Sequence, residues 1–166
     1  MLKDYLGIEK YEELKNDDNL IYKALEIVSV LFKHDKDKGG FPYFIHLLYV
    51  YRHVSTKEEK IVALLHDIIE DKNVSKEDLL DIGFSNKIVE DVSILTRKKG
   101  IDYSKYIDNL VKKGSRAALN VKLADLSNNM DLSRIKSPTL KDYERVEKRF
   151  TPSYEKILNR LKEMEK

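Results

Sequence analysis

Apolar residues recur at three- and four-residue spacing along almost the whole of this 166-residue chain, interrupted by only six glycines and three prolines. That spacing lines one face of an α-helix, whereas a half-buried strand needs strict alternation. The sequence therefore predicts an all-α fold with no convincing strand. A chain of this length buries a single core, so a one-domain helical bundle spanning residues 1–166 is expected. Asp18 or Asn19 caps a helix through residue 32, with Ile21, Ala24, Leu25, Val28 and Leu31 as its inward stripe. Residues 35–40 (DKDKGG), followed by Phe41-Pro42, form the strongest loop signal, and Pro42 restarts a helix that carries His46 and His53. A third helix is expected over residues 57–71, apolar on several sides and hence central. Ser75, with Asp78 three residues on, starts a short helix ending at Gly83. Further helices are expected over 86–96, 103–112, 115–129, 139–150 and 153–165, separated by Gly100, Gly114, Pro138 and Pro152.

The third helix contains the most demanding local sequence. His66 and Asp67 stand inside the run IVALLHDII, and burying an unpaired imidazole and carboxylate together costs several kcal/mol. A divalent cation would turn both into ligands and offset their desolvation. At roughly 100° of rotation per residue, His66, Asp67, Glu70 and Asp71 share an arc of about 140° on that helix. Adjacent helical residues diverge, so an ion held by His66 and Asp67 needs ligands from elsewhere. His46 and Asp125 are the best candidates. Asp125 repeats the anomaly: in VKLADLSNN it shares a face with Lys122 and Asn129 among Ala118, Val121 and Leu126.

Composition narrows the chemistry. Hydrophobic residues at 42% and charged residues at 36% describe a globular protein with a charged exterior. With 31 Lys and Arg against 29 Asp and Glu, the net charge of +2 supplies no global field toward nucleic acid or anionic lipid. A small anionic ligand meeting a local basic patch remains open. The absence of cysteine excludes disulfides, thiolate catalysis and zinc-thiolate sites, leaving nitrogen and oxygen to hold any metal. The opening MLKDYLGIEKYEEL carries acids where a signal peptide needs an apolar stretch, and no run approaches a membrane span. A cytoplasmic protein without a membrane partner is expected.

Three blocks, PYFIH at 42–46, ALLHDIIED at 63–71 and VKLADLSNNMDLSRI at 121–135, resemble the signatures of the HD-domain metal-dependent phosphohydrolases. They are most similar to the RelA/SpoT-type hydrolase domain and its small stand-alone relatives, which remove pyrophosphate from (p)ppGpp. The blocks come in family order, and the resemblance covers about residues 20–150. It implies an all-α HD fold and a metal site of His46, His66, Asp67 and Asp125. Two imidazoles and two carboxylates suit Mn²⁺, which family precedent favours, and also admit Zn²⁺ or Fe²⁺. It further implies proton handling by Glu70 and Asp71, a substrate contact through Asn129, and attack of metal-activated water on the 3′-diphosphate of a nucleotide. Lys122, or Lys38 of the glycine loop, would add positive charge toward the phosphates, and Tyr43 stands beside the site. Two positions depart from the family. Asp37-Lys38 occupies the place of an Arg-Lys pair near the purine, and Leu47 follows the metal histidine where proline is usual. Asp37 keeps open a hydrolase of another nucleotide or phosphate ester; loss of turnover within the same fold would leave a nucleotide-binding sensor.

Other candidates have plainer readings. A histidine on an apolar helix face is ordinarily a hydrogen-bonded core residue; Asp67, Glu70 and the ordered blocks reverse that expectation for His66. His53 shares a face with His46 and is a rival ligand, while His34 fits a charge at a helix C-terminus. Lys141, Arg145 and Arg149 form a basic stripe of the kind usually solvated and sometimes a phosphate clamp. Arg97-Lys98-Lys99 reads as a surface turn.

Overall fold

In a computed structural model, residues 2–166 are described. Among these residues twelve α-helices follow one another: α1 (Leu2–Leu6), α2 (Ile8–Lys15), α3 (Leu20–Leu31), α4 (Tyr43–Arg52), α5 (Lys57–Leu65), α6 (Ile68–Lys72), α7 (Lys76–Asp81), α8 (Asn86–Leu95), α9 (Tyr103–Lys113), α10 (Arg116–Met130), α11 (Leu140–Arg145) and α12 (Thr151–Glu163). A 3₁₀ turn, Leu132–Arg134, precedes α11, and a π-helical turn, Val146–Phe150, joins α11 to α12. No strand occurs among the described residues; Lys36 and Pro42 form one isolated antiparallel bridge across the glycine loop. The all-α expectation holds.

Capping chemistry places most helix starts where the sequence predicts them. Asn19 accepts from the Tyr22 amide at the start of α3, Ser75 and Asp78 close a capping box on α7, and Ser115 caps α10. Helix α5 is central because residues 61–65 are all buried, whichever way each side chain points. It packs on α3, α4, α8 and α10, and α10 packs in turn on α4, α8 and α12. Helices α4, α5 and α10, which carry the three sequence blocks, are therefore mutual neighbours.

Two boundaries differ from expectation. The third helix does not run unbroken through residue 71: α5 stops at Leu65, His66 and Asp67 form a turn, and α6 resumes at Ile68. The His66 ring supplies the reason, because Nδ1 bonds the Ala63 carbonyl at 2.8 Å. An uninterrupted helix would give that carbonyl to the Asp67 amide. At the C-terminus, Pro152 does not separate two helices. It sits in the first turn of α12, where a missing amide is tolerated. The wider π turn ahead of it, closed by the Thr151 amide on the Val146 carbonyl, relieves the clash a proline ring makes with the preceding turn.

Glu59 ties the α5 start to α10. Its carboxylate accepts from the Ser55 and Thr56 amides at 2.9 and 2.8 Å and from Asn120 Nδ2 at 2.5 Å. Burial alone would raise its pKa, but these donors hold it below the ordinary 4.5. A carboxyl depressed in the folded state stabilises fully above its unfolded pKa and loses that contribution as pH falls through the folded value. Urea unfolding of wild type and Glu59→Gln should thus show a stability gap that is full at pH 6 and narrows steadily toward pH 3. A gap independent of pH would remove this role from the ionised form.

Candidate metal centre

Helices α4, the α5–α6 turn and α10 bring His46, His66 and Asp125 together in the interior, each buried. One ligand atom from each lies within 4.8 Å of the others. His46 Nε2 stands 3.4 Å from His66 Nε2 and 3.4 Å from Asp125 Oδ1, while His66 Nε2 is 3.9 Å from Asp125 Oδ1. Asp67, half-buried, lies beside the two imidazoles, its Oδ2 2.9 Å from His66 Nε2 and 3.7 Å from His46 Nε2. Donors bound to one ion at about 2.0–2.2 Å stand roughly 3–4 Å apart, so the spacing fits a single cation.

Surrounding hydrogen bonds orient the donors. His46 Nδ1 contacts Asn128 Oδ1 at 2.7 Å, and His66 Nδ1 contacts the Ala63 carbonyl. Both partners accept, so each neutral ring carries its proton on Nδ1 and turns an Nε2 lone pair inward. Two lone pairs facing at 3.4 Å beside two carboxylates demand positive charge. The titration of the group expresses that demand. Burial would lower the His66 pKa, yet Asp67 and Asp125 push it up to about 9. The carboxyls of Asp67 and Asp125 are held below the usual range against their burial, Asp67 by His66, and Asp125 by Lys122 and both imidazoles. Lys122 Nζ bonds Asp125 Oδ2 at 2.7 Å and stays charged despite burial. Tyr43 donates to Asp67 Oδ2 at 2.5 Å, and Asn129 Nδ2 donates to Asp125 Oδ1 at 2.5 Å.

A cleft of about 190 Å³ opens beside the group. Its wall includes Tyr43, Asp67, Glu70, Lys122, Asp125 and Asn129, together with Arg97, Tyr103, Arg149 and Phe150. Glu70 Oε2 accepts from the Arg97 main-chain amide at 2.8 Å, which fixes that carboxylate at the rim. Asp71 is not part of the wall; burial, then the charges of Asp67 and Glu70, push its carboxyl up to about 6. Lys38 is drawn away. It pairs with the buried Asp142, which itself accepts from the Thr139 amide, so its charge serves the fold and not the cleft. Asp37 likewise pairs with Arg134 at 2.8 Å and accepts from the Phe41 amide. His53 is no partner of the cluster: it stacks on Tyr49 at 3.9 Å on the exposed end of α4.

Comparison with solved structures finds a metazoan ortholog of SpoT, a protein that hydrolyzes ppGpp and plays a role in starvation responses. The two superpose with a TM-score of 0.69 at 22% identity, over 87% of this chain and 86% of that one. They share one fold. No family model and no curated protein matches the sequence. Sequence reasoning did not single out Asn128 or the Arg97 amide. Asn128 had a usable signal, standing three residues beyond Asp125 on the same side of α10. The amide had none, since main-chain donors leave no trace in residue type.

Removing ligands should remove cation binding. His66→Ala and Asp67→Asn are expected to abolish the rise in melting temperature that a divalent cation should give the wild type. Asn128→Ala, which frees His46 to rotate, should weaken divalent-cation binding about 10- to 100-fold by calorimetry. An unchanged isotherm in Asn128→Ala would deny it the orienting role.

Proposed function

We propose that this protein is a metal-dependent phosphohydrolase acting on a nucleotide, with 3′-pyrophosphohydrolysis of guanosine 3′,5′-bis(diphosphate) as its leading activity. The observation that carries the reading is the convergence of His46, His66 and Asp125, from three separated sequence blocks, in one buried group with Asp67 beside both imidazoles at a cleft wall. The fold shared with a ppGpp-hydrolysing protein supports it. A divalent ion held by these four, with Mn²⁺ the first choice, supplies Lewis acidity and a lowered pKa for water.

The remaining steps belong to the chain's own groups. Glu70, fixed by the Arg97 amide at the rim, accepts the proton of the water that attacks the phosphorus. The bond from phosphorus to the 3′ oxygen breaks, and that oxygen takes up the proton Glu70 received as pyrophosphate departs. Lys122 keeps Asp125 ionised and adds positive charge near the phosphoryl oxygens. Asn129 offers its amide to the nucleotide while orienting Asp125. Tyr43, whose hydroxyl is pushed up by burial and by Asp67, stays a neutral donor. Asp37 pairs with Arg134 and Lys38 with Asp142, so neither residue at the place of the Arg-Lys pair offers a free cation to the purine, which favours testing other bases beside guanine.

Pyrophosphate release from guanosine tetraphosphate should require Mn²⁺ or a similar ion. Glu70→Gln should lower kcat about 10²- to 10⁴-fold while leaving Mn²⁺ affinity near wild type. Tight nucleotide binding without turnover in both proteins would replace the enzyme by a sensor, and orthophosphate as the product would change the bond that is cut.

A further inference from the structure

On the cleft wall Lys122 is matched to Asp125 and the Arg97 guanidinium to the Ile101 carbonyl, and farther out Lys38 is matched to Asp142 and Arg134 to Asp37. Arg149 is not. Among the described residues its guanidinium makes no hydrogen bond or ion pair, and its Nε is buried without a partner. It is nonetheless held in place. Its Cζ lies 3.6 Å from the centroid of the Tyr103 ring and 5.8 Å from that of Phe150, and all three residues belong to the cleft wall. The Tyr103 hydroxyl is likewise buried without a partner. Arg149 and Phe150 are consecutive and would diverge on an α-helix, but both fall in the π turn Val146–Phe150, and both reach the cleft. A guanidinium stacked on an aromatic face is pre-organised, with an edge free for two parallel hydrogen bonds to an oxyanion.

We propose that Arg149, stacked on Tyr103, is a second anion-recognition position of the cleft. It takes a phosphoryl group of the ligand other than the one that meets His46, His66 and Asp125. The ligand class is then a nucleotide with phosphates at two separate positions, a choice that rests on the phosphohydrolase reading of this cleft. The metal group faces one end of such a ligand, and the stacked guanidinium holds the other, which fixes the register of the scissile bond.

Equilibrium binding by calorimetry with Mn²⁺ tests this without needing turnover. The probes are guanosine 3′,5′-bisphosphate and guanosine 3′-monophosphate. Wild type should bind the bisphosphate at least about tenfold more tightly than the monophosphate. Arg149→Met, which keeps a stem able to pack on Tyr103, should erase that advantage and leave monophosphate affinity within about twofold. Arg149→Lys should restore part of it, because a point charge returns without the planar fork. An advantage that survives in Arg149→Met, equal weakening of both probes, or no advantage in wild type would each overturn the proposal. Failure of the hydrolytic reading looks different: the bisphosphate preference persists and no Mn²⁺-dependent product forms.

Discussion

Charge balance in the interior is the constraint from which the arrangement of this protein follows. Asp67 and Asp125 approach the same pair of inward-facing imidazoles, and two carboxylates in a low-dielectric setting are tolerable only against positive charge. Lys122, the elevated His66 pKa and the donors on Tyr43 and Asn129 all answer that need. Packing alone would favour apolar residues at these positions, as it does at Val62, Leu64 and Val121. Polar groups kept here, each oriented by its own hydrogen bond, make a group that could hold a divalent cation, unlike an ordinary core.

The same constraint shapes the backbone. By bonding the Ala63 carbonyl, His66 breaks the helix where Asp67 must turn toward the cluster. A continuous helix would spread the two side chains about 100° apart; the turn brings Asp67 Oδ2 to 2.9 Å from His66 Nε2. On the far side, the loop over residues 35–42 is clasped to the chain after α10 by Arg134 with Asp37 and Lys38 with Asp142. Gly39 belongs to the clasp, since a Cβ there would stand 2.5 Å from the Arg134 carbonyl oxygen. The clasp uses ion pairs for shape, which is why Lys38 looks like a ligand contact in the sequence and acts, with Asp37, as a brace in the fold.

How far the site was legible depended on the kind of signal. The cluster was readable because burying ionisable groups is costly, and that cost shows as residues out of place in apolar runs: His66 and Asp67 in IVALLHDII, Asp125 in VKLADLSNN. Helix starts were readable because capping is local, as at Ser75 and Asn19. The helix break at His66 was not, because it turns on one ring choosing one carbonyl. Nor was the continuity through Pro152, which needs the π turn ahead of it.

By itself, the sequence determined an all-helical chain, the helix that would be central and the ionisable residues that would need compensation, since periodicity, capping and desolvation act over a few residues. Only the tertiary structure decided which cations went where. Lys122 turns to Asp125, Lys38 is spent on Asp142, and Arg149 is left stacked on Tyr103 without an acid. Those outcomes depend on distances between residues up to about a hundred positions apart, and Coulomb energy falls with separation in space, not with separation along the chain.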